Sequence, residues 1–252
     1  MEMLPADDWT WDLLEDMIDD VDHSSPLFSE FSALVEGSLL TALKHNDQRA
    51  AEHDVRLSEE EVTLPKTTVD PFPFEFEHRR ILYGKHFPEL HRESLFLSAH
   101  SQLENNLNAI CDALQRCLNL DIRLRDMYGA GVERAFLYLR VACRWQIPAG
   151  TALGEFIAFA TDLRNAVVHR GGTVEEDGKL IKQLKGRPGL SVSEEMYIVF
   201  GSGFLPVYFD HLNQLANFLR VEATKTYPGT TREKRYKFRL RNLDGSPRGG
   251  RA

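Results

Sequence analysis

Arg164 and His169 are the residues in this chain whose types and spacing suggest chemistry. They lie in the stretch Arg164-Asn165-Ala166-Val167-Val168-His169-Arg170-Gly171-Gly172. A guanidinium stays charged and can hold phosphate oxygens through two parallel N–H groups. An imidazole can move a proton near neutral pH. Together they suffice to cleave RNA without a metal. The histidine would exchange a proton with the ribose 2′-hydroxyl and the leaving 5′-oxygen, and the arginine would stabilise the growing phosphorane charge. Asn165 can orient either group through its amide. Arg170, next to the histidine, is a further candidate RNA contact.

The elements that must position these residues follow from periodicity. Thr151 is a predicted N-cap with Glu155 in the first turn. Leu153, Phe156, Ile157, Ala160, Leu163 and Val167 form an apolar stripe. Gly171-Gly172 is the expected stop. On such a helix five residues turn through about 140°, so Arg164 and His169 do not share a face, whereas Asn165 and His169 do. One helix therefore does not assemble the pair, and two copies about a twofold axis would.

The rest of the pattern is helical. Phe96, Ala99, Leu103, Leu107, Ile110, Leu114 and Cys117 predict a long amphipathic helix over about 88–118, with Gln102, Asn105, Asn106, Asn108, Asp112, Gln115 and Arg116 opposite. Residues 132–145 predict another. Leu205, Tyr208, Phe209, Leu212, Leu215, Ala216 and Leu219 predict a third over 204–224. Upstream, a short helix over 9–21 is expected to break at Ser24-Ser25-Pro26, followed by a helix from Phe28 to about Asn46 and a linker over 47–77. Residues 173–192 read as a loop or short hairpin. Met196 to Phe200 is the one good strand candidate. The expected class is mainly α, a helical bundle with a short β excursion after the motif helix. Its parts are an acidic extension and linker (1–85), the bundle (86–224) and a basic tail (225–252).

Composition narrows the function. The 252 residues carry a net charge of −8, unevenly spread. Residues 1–43 have eleven acids and no Lys or Arg, while 225–252 have nine bases and two acids. Within that tail Arg232, Lys234, Arg235 and Lys237 flank Tyr236, a pattern able to follow an RNA backbone with one ring stacked on a base. No apolar run reaches the roughly 18 residues a membrane span needs. The acidic start is not a secretory leader, and Cys111, Cys117 and Cys143 lie within apolar patterns, so a cytoplasmic protein with reduced cysteines is expected. No metal-ligand spacing, phosphate loop or nucleophile elbow occurs, and no cofactor or metal is expected. His100 and Glu104, four apart on the long helix, are possible supports for the site.

The motif resembles that of the HEPN superfamily of helical ribonucleases and RNA-associated domains, in which Arg, often an Asn, and then His stand near the end of a bundle helix. Arg164, Asn165 and His169 match those positions, and the likeness spans about residues 86–224. The resemblance implies a homodimer with facing motifs and metal-independent RNA cleavage. It also implies a toxin or phage-defence setting in which a cognate antitoxin protein is a possible partner. The alternatives are a non-catalytic module of the same kind that binds RNA or protein, and a structural helical oligomerisation domain.

Overall fold

The computed structural model describes residues 8–59 and 72–226. Among the described residues seven α-helices and two short strands run in the order α1 (Asp8–Glu59), α2 (Phe72–Ile81), α3 (Phe87–Leu118), α4 (Gly131–Val141), α5 (Ala152–Arg170), α6 (Lys179–Leu184), β1 (Leu190–Val192), β2 (Ile198–Phe200) and α7 (Phe204–Thr226). A π-helical turn, Leu82–His86, joins α2 to α3. The strands are antiparallel and pair Leu190 with Phe200, Ser191 with Val199 and Val192 with Ile198. The fold is mainly α with a small β excursion after the motif helix. Among the described residues no helix is long and apolar enough to cross a membrane.

The chain divides into two compact units. One comprises Met1–Asp20, Asn106–Ile147 and Gln214–Ala252. Its core includes Leu14, Ile18, Ile110, Leu114, Tyr138, Leu139, Leu215 and Leu219, each at most 1% exposed. The other comprises Val21–Asn105 and Pro148–Asn213 and holds the motif. Its core is aromatic. Phe96 packs edge-on against Phe204 and Tyr208, with centroids 5.3 and 5.1 Å away, and lies 5.7 Å from Phe200. Each such pair contributes about 0.5–1.5 kcal/mol beyond its buried area. These rings join α3, β2 and the first turns of α7. No disulfide links the three buried cysteines.

The predicted stripes of α3, α5 and α7 are buried as their spacing requires, except that Leu153 is half-buried. Within the polar set of α3, Asn106 is also buried. The first third of the chain departs from expectation. No break occurs at Ser24-Ser25-Pro26; α1 runs through Pro26. Pro removes one backbone donor, but tertiary contacts hold the helix across it. Ser25 is 2% exposed and donates to the Phe209 carbonyl at 3.3 Å, and Phe28 stacks on Phe209 at 6.1 Å. Phe31 and Leu34, expected on the inner stripe, are exposed. The expected linker is helical on both sides of residues 60–71, which lie outside the described residues. The helix over 132–145 ends at Val141, four residues early, and the loop over 173–192 contains α6 and β1.

Two glycines set the path around the motif. Gly171 ends α5 in the left-handed region at φ 60°, with open space where a Cβ would stand. Gly189 sits before β1 at φ +69°, and a Cβ there would drive into the backbone of Gly203 and Phe204 at the start of α7. Gly171→Ala should therefore cost about 1 kcal/mol, for conformation alone. Gly189→Ala combines strain with a backbone clash and should cost about 3 kcal/mol. Urea unfolding followed by circular dichroism orders the two; equal losses would contradict the close approach.

Candidate functional site

Helix α5 starts as the sequence predicts. The Thr151 hydroxyl accepts from the Gly154 N–H at 3.2 Å. It stays α-helical to Arg170, so its last turn does not swing Arg164 and His169 onto one face. Beyond Gly171 the Gly172 N–H donates to the Ala166 carbonyl at 3.1 Å, and the Gly172 carbonyl accepts from Ile198 at 2.9 Å. The Val174 N–H donates to Met196 at 2.9 Å. The β excursion thus ties down the segment that follows the motif.

Arg164 is half-buried and Asn165 and His169 are exposed. The Arg164 guanidinium donates to the Asn165 side-chain carbonyl at 3.1 Å. Asn165 therefore fixes the arginine, through its oxygen, and keeps its NH₂ group for another acceptor. Val168, 48% exposed, separates the two on the surface and gives this end of α5 an apolar spot between polar groups. The structure joins Arg164 to Asn165 and does not bring His169 to either.

Under Arg164 lies a group that sequence spacing flagged for a different contact. His100 on α3 is 1% exposed. Its expected partner was Glu104; instead its Nδ1 lies 3.2 Å from the Tyr208 hydroxyl and its Nε2 3.5 Å from the Thr161 hydroxyl. Thr161 donates its own proton to the Ile157 carbonyl at 3.0 Å, so it accepts from Nε2–H while Tyr208 donates to Nδ1. This arrangement needs a neutral imidazole. Burial, helped by the charge of Arg164, lowers the His100 pKa from 6.5 to about 4. Burial alone pushes the Tyr208 phenol up. Thr161 and Tyr208 carry no signal in the sequence beyond helical spacing, since their role depends on three helices meeting.

A second arrangement stands on the other side of α5. A cleft of about 250 Å³ between α5 and α6 is lined by Asp162, Asn165, Arg170, Glu175 and Lys179 among others. Lys179 pairs with Asp162 at 2.9 Å. Asn165 and Arg170, both predicted RNA contacts or supports, share this cleft. Arg232, Lys234, Arg235, Tyr236 and Lys237 lie outside the described residues. Among the described residues no cluster of three or more His, Cys, Asp and Glu could hold a metal. Compared with protein-family models, with curated proteins and with solved structures, the chain matches none.

The His100 network makes a pH prediction. In the unfolded chain His100 titrates near 6.5; in the folded chain it stays neutral to about pH 4. Between those values the unfolded state binds more protons, so stability is full above 6.5 and falls as the pH drops toward 4. One pKa unit is worth about 1.4 kcal/mol, so the loss should approach about 3 kcal/mol. His100→Gln should remove that slope. If the C2-proton resonance of His100, assigned by its absence from His100→Gln, titrates near 6.5 in the folded protein, the buried assignment is contradicted.

Proposed function

We propose that the chain is a metal-independent endoribonuclease of the HEPN kind that works as a homodimer. The observation that carries this reading is the end of α5, where an exposed imidazole, an amide and an asparagine-held guanidinium stand within six residues before a left-handed glycine. Arg164 binds and stabilises the scissile phosphate, Asn165 holds Arg164 in place, and His169 moves the proton. Because Arg164 and His169 leave the helix on different faces, the guanidinium of one copy must meet the imidazole of its mate. Cleavage uses the ribose 2′-hydroxyl as nucleophile: its oxygen bonds to phosphorus, the 5′-oxygen leaves with a proton, and a 2′,3′-cyclic phosphate remains. Arg170 and the basic residues Arg232, Lys234, Arg235, Tyr236 and Lys237 extend the RNA contact. The setting that fits such an enzyme is a toxin or phage-defence effector in the cytoplasm, with a cognate antitoxin protein as partner.

One observation favours a second reading, a binding module without catalysis: Arg164 is engaged by Asn165 and lies over His100, away from His169. The full chain decides between them. In EDTA it should cut single-stranded RNA into products with cyclic phosphate ends and leave DNA intact. His169→Ala and Arg164→Ala should each lower the rate by about 10²–10⁴-fold with the dimer retained on gel filtration. RNA binding without cleavage selects the module. Neither binding nor cleavage, in a folded dimer, removes RNA from the account.

A further inference from the structure

Away from the motif, the same unit contains a second cleft of about 250 Å³, lined by Glu155 and Phe156 of α5, Arg187 and Pro188, and Val207 and His211 of α7, with Ala152 and Phe204 at its margin. Two basic side chains in it are held rigidly. The Arg187 guanidinium lies over the Phe159 ring at 3.9 Å and reaches the Phe156 ring at 5.5 Å. Its Nε donates to the Gln183 carbonyl at 3.0 Å. The His211 ring stacks on Phe156, with centroids 3.6 Å apart and planes 13° apart. Its Nδ1 donates to the Val207 carbonyl at 2.7 Å.

These contacts fix what each group still offers. Arg187 has used Nε and its π face, so its two terminal NH₂ groups remain. His211 has used Nδ1 and one face, so Nε2 remains. Among the described residues Arg187 forms no ion pair; Glu155, the one carboxylate of the cleft, acts on it only at longer range. Burial works against the guanidinium's charge. A half-buried arginine stacked in place without a counter-ion is costly to keep in a free protein. The cost is offset when an anion enters. The cleft also receives the first turns of α5 and α7, whose dipoles add a weaker attraction for negative charge.

We propose that this cleft is a phosphate-binding site, taking a terminal phosphate group from inorganic phosphate or a phosphomonoester. The guanidinium fork would take two oxygens, and the free His211 Nε2 would face a third, the P–OH oxygen of the anion. A tetrahedral anion has oxygens for both partners, whereas a carboxylate is filled by the fork alone. Val207, Pro188 and Phe204 leave an apolar wall for the carbon side of an ester. The site is separate from the α5 tip, and it stands whether or not RNA is cut there.

The test uses the full chain at constant ionic strength, with inorganic phosphate, adenosine 5′-monophosphate and acetate titrated separately. Phosphate should raise the thermal midpoint saturably and shift the His211 C2-proton resonance, and acetate should do so far more weakly. Arg187→Gln should weaken binding by about tenfold or more. Tighter binding of the nucleotide than of phosphate makes the ester the ligand; equal binding makes it the free ion. If Arg187→Gln fails to fold, His211→Gln replaces it with the same expectation. No saturable phosphate effect on the wild-type chain, or an equal effect in both variants, overturns the proposal.

Discussion

The need to satisfy one buried imidazole governs how the motif is held. His100 is 1% exposed, so each ring nitrogen must find a partner inside the protein. It takes one from α5 and one from α7 while sitting on α3. Three helices are thereby fixed at one point, close enough to Arg164 to feel its charge. The same burial, reinforced by the arginine's positive charge, keeps the ring neutral. A charged His100 would repel Arg164 and lose the Tyr208 bond. The aromatic cluster around Phe96 provides the dry surroundings that make this constraint strict.

Arg164, beside this constraint, is half-buried, while Asn165 and His169 are exposed. A guanidinium can lay its methylenes on an apolar surface and keep its head polar. Here its head is held by Asn165, the next residue in the chain. An arginine pinned in this way loses less freedom on meeting a phosphate than one hanging in solvent. His169 has no such restraint. The two candidate catalytic groups therefore differ in how far they are prepared, and the arginine is the more prepared.

Much of this was legible in the sequence, and the exceptions have physical reasons. The stripes of α3, α5 and α7 were readable because burial there follows strict helical spacing. Thr151 and Gly171 were readable because capping is local chemistry. Pro26 misled, because its cost of about 3 kcal/mol is offset by long-range packing that sequence spacing does not show, including the anchoring of Ser25 and Phe28 on Phe209. The six-residue α6 lies below the length at which periodicity speaks. His100 was picked for its spacing to Glu104, but a buried imidazole chooses partners in space; Thr161 and Tyr208 are 61 and 108 residues distant.

The exposed surface of α5 has a consequence for how any partner must approach. Asn165, Val168 and His169 lie along the last turns, and the chain leaves through a glycine held by the β excursion. In the proposed dimer, Arg164 of one copy would approach His169 of its mate only if the helices cross antiparallel about a point midway between the two residues. Parallel crossing would place like residues together, two imidazoles against each other. The direction of crossing, beyond the presence of a dimer, is thus what the proposed chemistry would require. In that proposed arrangement each scissile phosphate would meet one guanidinium and one imidazole, and the two Arg164 charges would stay apart.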